Sequence, residues 1–213
     1  EKQGLDTYGG GDNVIFRYNH VHDVGQEGIR AIGVSSGWEV IHNVIENAAI
    51  GIEFTRMSES LVSRNKISNI PGVGILFQDN DVGSSGTNIT SGVTISENEI
   101  NDTGGTGIYV LGYPCYAGKT VIIRDITISG NTITGDSTAI MFWYTGAGSS
   151  ELRDMTVINN NVTVNYPEAG QSSYAIYLDN VRGNSTFSGN AVNVVGDRGG
   201  VRDGICICGW DTG

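Results

Sequence analysis

The amino-acid sequence predicts an all-β solenoid. Three observations predict it: an Asn that recurs in a fixed apolar frame, a Gly-Ile-x-apolar motif between its copies, and a composition of 32 Gly against 3 Pro. The frame is clearest at Val93-Thr94-Ile95-Ser96-Glu97-Asn98-Glu99-Ile100, which reads apolar-x-apolar-x-x-Asn-x-apolar. It returns as Ile126-x-Ile128-x-x-Asn131-x-Ile133 and Met155-x-Val157-x-x-Asn160-x-Val162, with looser copies centred on Asn19, Asn43, Asn65 and Asn190. Alternating apolar residues on both sides of the Asn mark two short half-buried strands with a bend between them. Consecutive Asn residues lie 24, 22, 33, 33, 29 and 30 positions apart, so one compact unit is repeated with insertions.

The second motif falls between these copies and fixes their register. It reads Gly4-Leu5-Asp6-Thr7, Gly28-Ile29-Arg30-Ala31, Gly51-Ile52-Glu53-Phe54, Gly74-Ile75-Leu76-Phe77 and Gly107-Ile108-Tyr109-Val110, then Ala139-Ile140-Met141-Phe142, Ala175-Ile176-Tyr177-Leu178 and Gly204-Ile205-Cys206-Ile207. Abundant Gly suits the many tight bends such short strands require. The early turns are tight. Residues 79–92, 112–124 and 144–153 lengthen the loop after this strand, and residues 165–174 and 195–203 lengthen the loop before it. All the long insertions border one sheet, the usual setting for binding and chemistry.

The Asn between two alternating strands, followed by the Gly-Ile-x-apolar strand, resembles the right-handed parallel β-helix repeat of the pectate-lyase-like superfamily, and the likeness covers nearly the whole chain. The resemblance implies three short strands per turn, about seven to eight turns stacked roughly 4.8 Å apart, and an internal ladder of Asn side chains. A repeat running from end to end makes residues 1–213 a single domain. Neither end carries an amphipathic helical run of the kind that caps a solenoid. The expectation is therefore a piece of a longer chain, or a chain that associates with itself or a partner end to end or side by side.

The net charge of −11 argues against a nucleic-acid partner, because phosphate binding needs a basic surface. No stretch is long and apolar enough for membrane insertion. Asn-x-Ser/Thr sequons at Asn88, Asn101, Asn161 and Asn184 are compatible with an extracellular or cell-surface protein. Cys206 and Cys208 lie two apart on one strand while Cys115 falls in a loop, so free thiols or a contact outside the chain are expected. His20-x-His22-Asp23 looks like a ligand cluster. Yet Asp23 sits four places after a ladder Asn, as do Asn47, Asn69 and Asp102, which makes it a bend position and the histidines ordinary exposed residues. The calcium-binding Asp cluster of the pectate lyases is not visible. No cofactor is expected; calcium stays open as a ligand, without a specific site identified in the sequence.

On the Gly-Ile-x-apolar strand alternate residues point outward. One outer column reads Asp6, Arg30, Glu53, Leu76, Tyr109, Met141, Tyr177, Cys206; its neighbour reads Tyr8, Ile32, Thr55, Gln78, Leu111, Trp143, Asp179, Cys208. Arg56, Asp79, Asp81, Tyr113, Tyr144, Trp210 and Asp211 lie at the mouth of the following loop. Asp6, Arg30, Glu53, Arg56 and Asp79 are the candidate catalytic residues. Asp6 and Glu53, two turns apart, are about 9.6 Å from each other at the stacking distance, near the upper end for a pair of inverting carboxylates. Arg30 between them could hold an acidic sugar, with Tyr8, His20 or Arg56 as the base of a β-elimination. The same three charges also read as an exposed ladder of alternating sign with a small stabilising effect. Tyr8, Gln78, Tyr109, Trp143, Tyr144, Tyr177 and Asp179 offer the aromatic and polar mixture of a sugar-binding surface. Enzymes of the resembled superfamily, polysaccharide lyases and glycoside hydrolases, use the equivalent sheet. Their clustered Asp pairs with Gly-His and Arg-x-Lys are missing from this strand. The expectation is a secreted protein that binds and cleaves a polysaccharide or other glycan, the rival being a non-catalytic stalk, adhesin or self-assembling module that uses the same apolar face. A further array, Thr94-x-Ser96, Thr127-x-Ser129 and Thr186-x-Ser188, reads as ordinary exposed strand.

Overall fold

A computed structural model describes residues 3–80, 86–114, 117–145, 149–165, 173–195 and 202–208. Short strands stack in chain order into parallel sheets. The site sheet holds the Gly-Ile-x-apolar strands: Leu5–Tyr8, Glu27–Ser36, Ile50–Ser58, Ile75–Asp79, Ile108–Gly112, Ile140–Tyr144, Ser173–Asp179 and Arg202–Cys208. The second sheet stacks the strands before each Asn, from Ile15–Arg17 to Thr186–Ser188, and the third those after it, from His20–His22 to Ala191–Val195. Each passage through the three sheets is one turn, and every neighbouring pair within a sheet is parallel and separated by one repeat.

The interior is a set of apolar columns. Ile29, Ile52, Ile75, Ile108, Ile140 and Ile176 form one, with Phe54, Phe77, Val110, Phe142 and Leu178 beside them, all fully buried. Val40, Val62, Ile95, Ile128 and Val157 line the second sheet, and Ile45, Ile67, Ile100, Ile133 and Val162 the third. Period-two alternation sends these residues inward and their neighbours out.

The bend between the second and third sheets carries the ladder that the sequence predicts. Each side-chain Nδ2 donates to the Oδ1 of the next Asn at 2.9 to 3.0 Å, from Asn19 through Asn43, Asn65, Asn98, Asn131 and Asn160 to Asn190. The same Oδ1 accepts the backbone N–H of the preceding Asn. From Asn43 onward each Nδ2 also reaches a carbonyl one turn back, as Asn98 does to Val62 and Asn131 to Ile95, while Asn19 at the end of the ladder uses the Arg17 carbonyl of its own turn. Buried amides are thereby satisfied on both sides, which burial requires. The residue before each Asn turns the chain inward with a left-handed backbone, φ 56° to 57° at Tyr18, His42, Arg64, Glu97 and Asn159 and 65° at Gly130 and Gly189. Asp23, Asn47, Asn69 and Asp102 are likewise left-handed, in agreement with the bend read from sequence.

The small residue of the second motif has a steric cause. A Cβ on Gly74 would lie 2.6 Å from the Gly107 carbonyl oxygen and 2.7 Å from Ile100 Cγ2, and one on Gly107 would lie 2.7 Å from the Ala139 carbonyl oxygen. Third sheet and site sheet meet too closely there for a side chain.

The structure departs from the sequence reading after the site sheet. Three of the insertions contain strands, Gly86–Ser91, Lys119–Arg124 and Ser149–Arg153, which stack with Val181–Arg182 into a fourth parallel sheet. Val121, Ile123 and Leu152 point into the core, so these segments are wall rather than loop. Of the insertions before the site strand, 166–172 and 196–201 lie outside the described residues.

Asn98→Ala would strip the Asn65 backbone N–H and amide of their acceptor and orphan the Val62 carbonyl. At about 1–3 kcal/mol per buried unsatisfied group, we expect a loss of roughly 3 kcal/mol or more in urea unfolding. Asn19→Ala, at the partly exposed end of the ladder, should cost about 1 kcal/mol. Equal losses would contradict the ladder's role. Gly74→Val should destabilise by about 1–3 kcal/mol or more, as overpacking does, measured in the same way.

Candidate functional site

The outer columns of the site sheet stand in the register the sequence predicts. Asp6 pairs with Arg30, Arg30 with Glu53, Glu53 with Leu76, and the column continues through Tyr109, Met141 and Tyr177 to Cys206. Tyr8, Ile32, Thr55, Gln78, Leu111 and Trp143 form the second.

The charged half is not the exposed ladder that alternation suggests. Asp6 is open to solvent and Arg30 half-buried, but Glu53 retains only 6 % of its exposure. Glu53 still points out of the solenoid, because Ile52 and Phe54 hold the inward positions on either side. Its neighbours cover it. Gln78 Nε2 donates to Glu53 Oε1 at 2.6 Å and Thr55 Oγ1 donates to the same oxygen at 3.4 Å. Arg30 Nε stands 3.7 Å from Oε2, an ion pair too long to be a hydrogen bond. Burial pushes the Glu53 carboxyl above its usual range, opposed first by the Gln78 bond, while Glu27 raises it further and Arg30 lowers it. Gln78, expected to meet a sugar, is thus committed to orienting Glu53.

Arg56 and Asp79 fall elsewhere. Both line a cleft of about 200 Å³ at the edge of the site sheet, with Val34, Ser35, Ser58 and residues 87–90 of the fourth sheet. Asp79 is fully buried. Its Oδ2 accepts from Thr90 Oγ1 at 2.8 Å and its Oδ1 from Asn88 Nδ2 at 3.3 Å. Arg56 has a left-handed backbone, φ 59°, where the third site strand turns toward the fourth sheet. On the neighbouring strand the register slips between Ile32 and Ser35, and this irregularity leaves Val34 79 % exposed at the lip. Asn88 and Thr90, which the sequence marked only as a sequon, sit on a strand outside the two repeat motifs.

The aromatic half is present but only partly open. Trp143 keeps 41 % of its exposure, while Tyr109, Met141, Leu76 and Leu111 are half-buried. Burial pushes the Tyr109 phenol up to about 12, so it stays a neutral hydrogen-bonding group. Burial also raises Tyr177, helped by Asp179, and raises Asp179 itself. Tyr174 lies against Tyr177 with ring centroids 5.0 Å apart. Tyr8 stands out at 82 % exposure, whereas Tyr144 packs against the core and offers only part of its ring.

His20 belongs to the third sheet, where its Nε2 meets Glu46 Oε2 at 3.0 Å; it cannot act as a base on the site sheet. His22 Nδ1 contacts its neighbour Asp23 at 3.0 Å, and both are exposed. Among the described residues no three His, Cys, Asp or Glu side chains converge as a metal would require, and no helix is long and apolar enough to cross a membrane. Cys206 is disulfide-bonded, which corrects the expectation of a free thiol or a contact outside the chain. The chain's other cysteines are Cys115 and Cys208. Asp81, Cys115, Trp210 and Asp211 lie outside the described residues.

Residues 2–147 match the model of the right-handed beta helix region, and the chain belongs to that family. It is a right-handed parallel β-helix, a fold that fits carbohydrate-active and surface β-helix proteins alike. Neither a curated protein nor a solved structure matches the chain.

The raised carboxyl at Glu53 makes a testable pH dependence. The folded protein keeps this proton above the ordinary value of 4.5, where the unfolded chain has released it. The residue's contribution is therefore fully present below about 4.5 and is lost as the pH rises through the folded value. The Tm of Glu53→Gln minus that of the parent should grow from pH 4 to pH 7 in thermal unfolding. A constant difference would show that the carboxyl is not desolvated.

Proposed function

We propose that the outer face of the site sheet binds an extracellular polysaccharide and hydrolyses it. The observation that carries this is a pair of carboxyls in one column with opposed environments: Glu53 desolvated and raised, Asp6 solvated. Such a pair divides acid from base. The Glu53 proton passes to the glycosidic oxygen as its bond to the anomeric carbon breaks. Asp6 takes a proton from the water that attacks that carbon. Two strand spacings, about 9.6 Å, leave room for the water and favour inversion. Gln78 fixes Oε1 and leaves Oε2 to carry the proton. Arg30, held by one long ion pair, is the cover a sugar displaces. Trp143, Tyr109 and Tyr177 supply flat faces for successive pyranose rings, with Asp179 for hydroxyls.

Hydrolysis is favoured over β-elimination because Arg30 already faces Glu53 and His20 lies on another sheet. An extracellular or cell-surface location is supported by the disulfide at Cys206 and by the exposed sequon residues Asn161 and Asn184.

The test is turnover and binding across a polysaccharide panel. Glu53→Gln should lower kcat by about 10²-fold or more, the usual contribution of a general acid, with binding retained. Trp143→Ala should weaken binding by about tenfold, worth roughly 1.4 kcal/mol. A parent protein that binds without turnover, and loses binding only in Trp143→Ala, would instead be a non-catalytic adhesin or structural module.

A further inference from the structure

We infer that the outer face of the fourth sheet binds a tetrahedral oxyanion, carried by the glycan as a sulfate ester, between Arg124 and Arg153. The inference rests on the polysaccharide reading above for the carrier of the anion, and on the fourth sheet alone for the site.

Alternation builds the site. Val121, Ile123 and Leu152 are buried in the core, so Arg124 and Arg153 on the same strands stand outward. The two are register partners on parallel strands, and Arg153 pairs in turn with the exposed Arg182. Three guanidinium groups thus rise in one column at the strand spacing of about 4.8 Å. Like charges directly opposite on neighbouring strands are destabilising. A chain of net charge −11 with nine Arg nevertheless places three of them here.

Three carboxylates stand near the column without closing on it. Asp125 Oδ2 is 3.6 Å from Arg124 Nε, while Arg153 has Glu151 Oε2 at 3.6 Å and Asp154 Oδ2 at 3.9 Å. All three distances are too long for a hydrogen bond. The aspartates serve the backbone instead. Asp125 and Asp154 turn the chain toward the second sheet with left-handed φ of 55° and 56°, and Asp154 Oδ1 accepts the Asn184 N–H at 2.9 Å. In consequence Arg124 Nε and Arg153 Nε are both buried without a hydrogen-bond partner among the described residues. Arg182 differs: its Nε donates to Asn180 Oδ1, and it adds charge rather than a grip.

An unsatisfied charged donor is costly, and two of them one strand apart mark a place that lacks acceptor oxygens. The two side chains remain 41 % and 37 % exposed, so an anion reaches them from solvent. A turn of its flexible stem lets each present Nε and Nη together as a fork. A carboxylate has two oxygens and fills one fork. A sulfate ester has three terminal oxygens, enough to bridge two forks one strand apart, and it keeps its charge at every pH at which the protein is folded.

The experiment titrates the full chain at fixed ionic strength with dextran sulfate, dextran and polygalacturonate, followed by calorimetry. Dextran sulfate should bind the parent more tightly than polygalacturonate, and Arg124→Gln and Arg153→Gln should each weaken it by about tenfold. Arg153→Lys keeps the charge but loses the fork, so it should weaken binding several-fold. Neither Gln variant should lower the Tm, because each relieves repulsion in the column. Sodium sulfate should raise the Tm of the parent more than that of the Arg124→Gln/Arg153→Gln double variant, since its general salting effect is common to both. Tighter binding of polygalacturonate, binding indifferent to the Gln variants, full retention in Arg153→Lys, or an equal sulfate effect on both Tm values would each overturn the inference. Free sulfate bound with no gain from the polymer would overturn the glycan as carrier. The two readings fail separately. Binding that depends on these arginines in a parent that cleaves no polymer removes the hydrolysis and leaves this site; turnover lost in Glu53→Gln, with sulfate binding indifferent to the arginines, does the reverse.

Discussion

The amide ladder is the constraint on which the rest of this molecule depends. Asn43, Asn65, Asn98, Asn131 and Asn160 are buried almost completely, and a buried amide tolerates only a geometry that satisfies both its hydrogens and its oxygen. Here that geometry exists only when the next turn places its own Asn directly alongside. A turn slipped by one residue would move every apolar side chain of its strands to the wrong face and leave two amides unpaired. Register is thus set at one corner and carried by the chain to the other sheets.

With the corner fixed, the outer face of the site sheet is free to vary. Ile52 and Phe54 serve the core, while Glu53 and Thr55 on the same strand serve the surface. Polar groups could therefore gather over the first turns and aromatic ones over the later turns without disturbing the interior. The insertions after the site strand do not dangle. By pairing as a fourth sheet they widen the cross-section and form a second wall, against which the Asp79 cleft is built.

Most of the scaffold was legible in the sequence because its signal repeats. Asn and Gly-Ile recur with small variations in spacing, and together they place Asp6, Arg30 and Glu53 in line before any coordinates. What escaped depends on side chains meeting across turns. Nothing in the alternation of Gly51 to Thr55 says that Gln78 and Arg30 will close over Glu53, since that follows from their length and direction on neighbouring strands. The fourth sheet escaped for a different reason. Its strands share no invariant residue, although Arg124-Asp125-Ile126 and Arg153-Asp154-Met155 stand at equal distance before their ladder Asn and would have been a usable mark.

Every amide of the ladder points the same way: from Asn43 to Asn160 each gives a hydrogen to its successor and receives one from its predecessor. A spine of that kind has polarity but no preferred length. Copying one whole repeat in place adds a giver and a receiver together and orphans nothing, so such a gene can grow or shrink by internal duplication while the polypeptide goes on folding. The ladder accepts units of unequal length as well: the shortest spacing between successive Asn residues, 22, belongs to a unit without a fourth-sheet strand, and the longest, 33, to units that contain one.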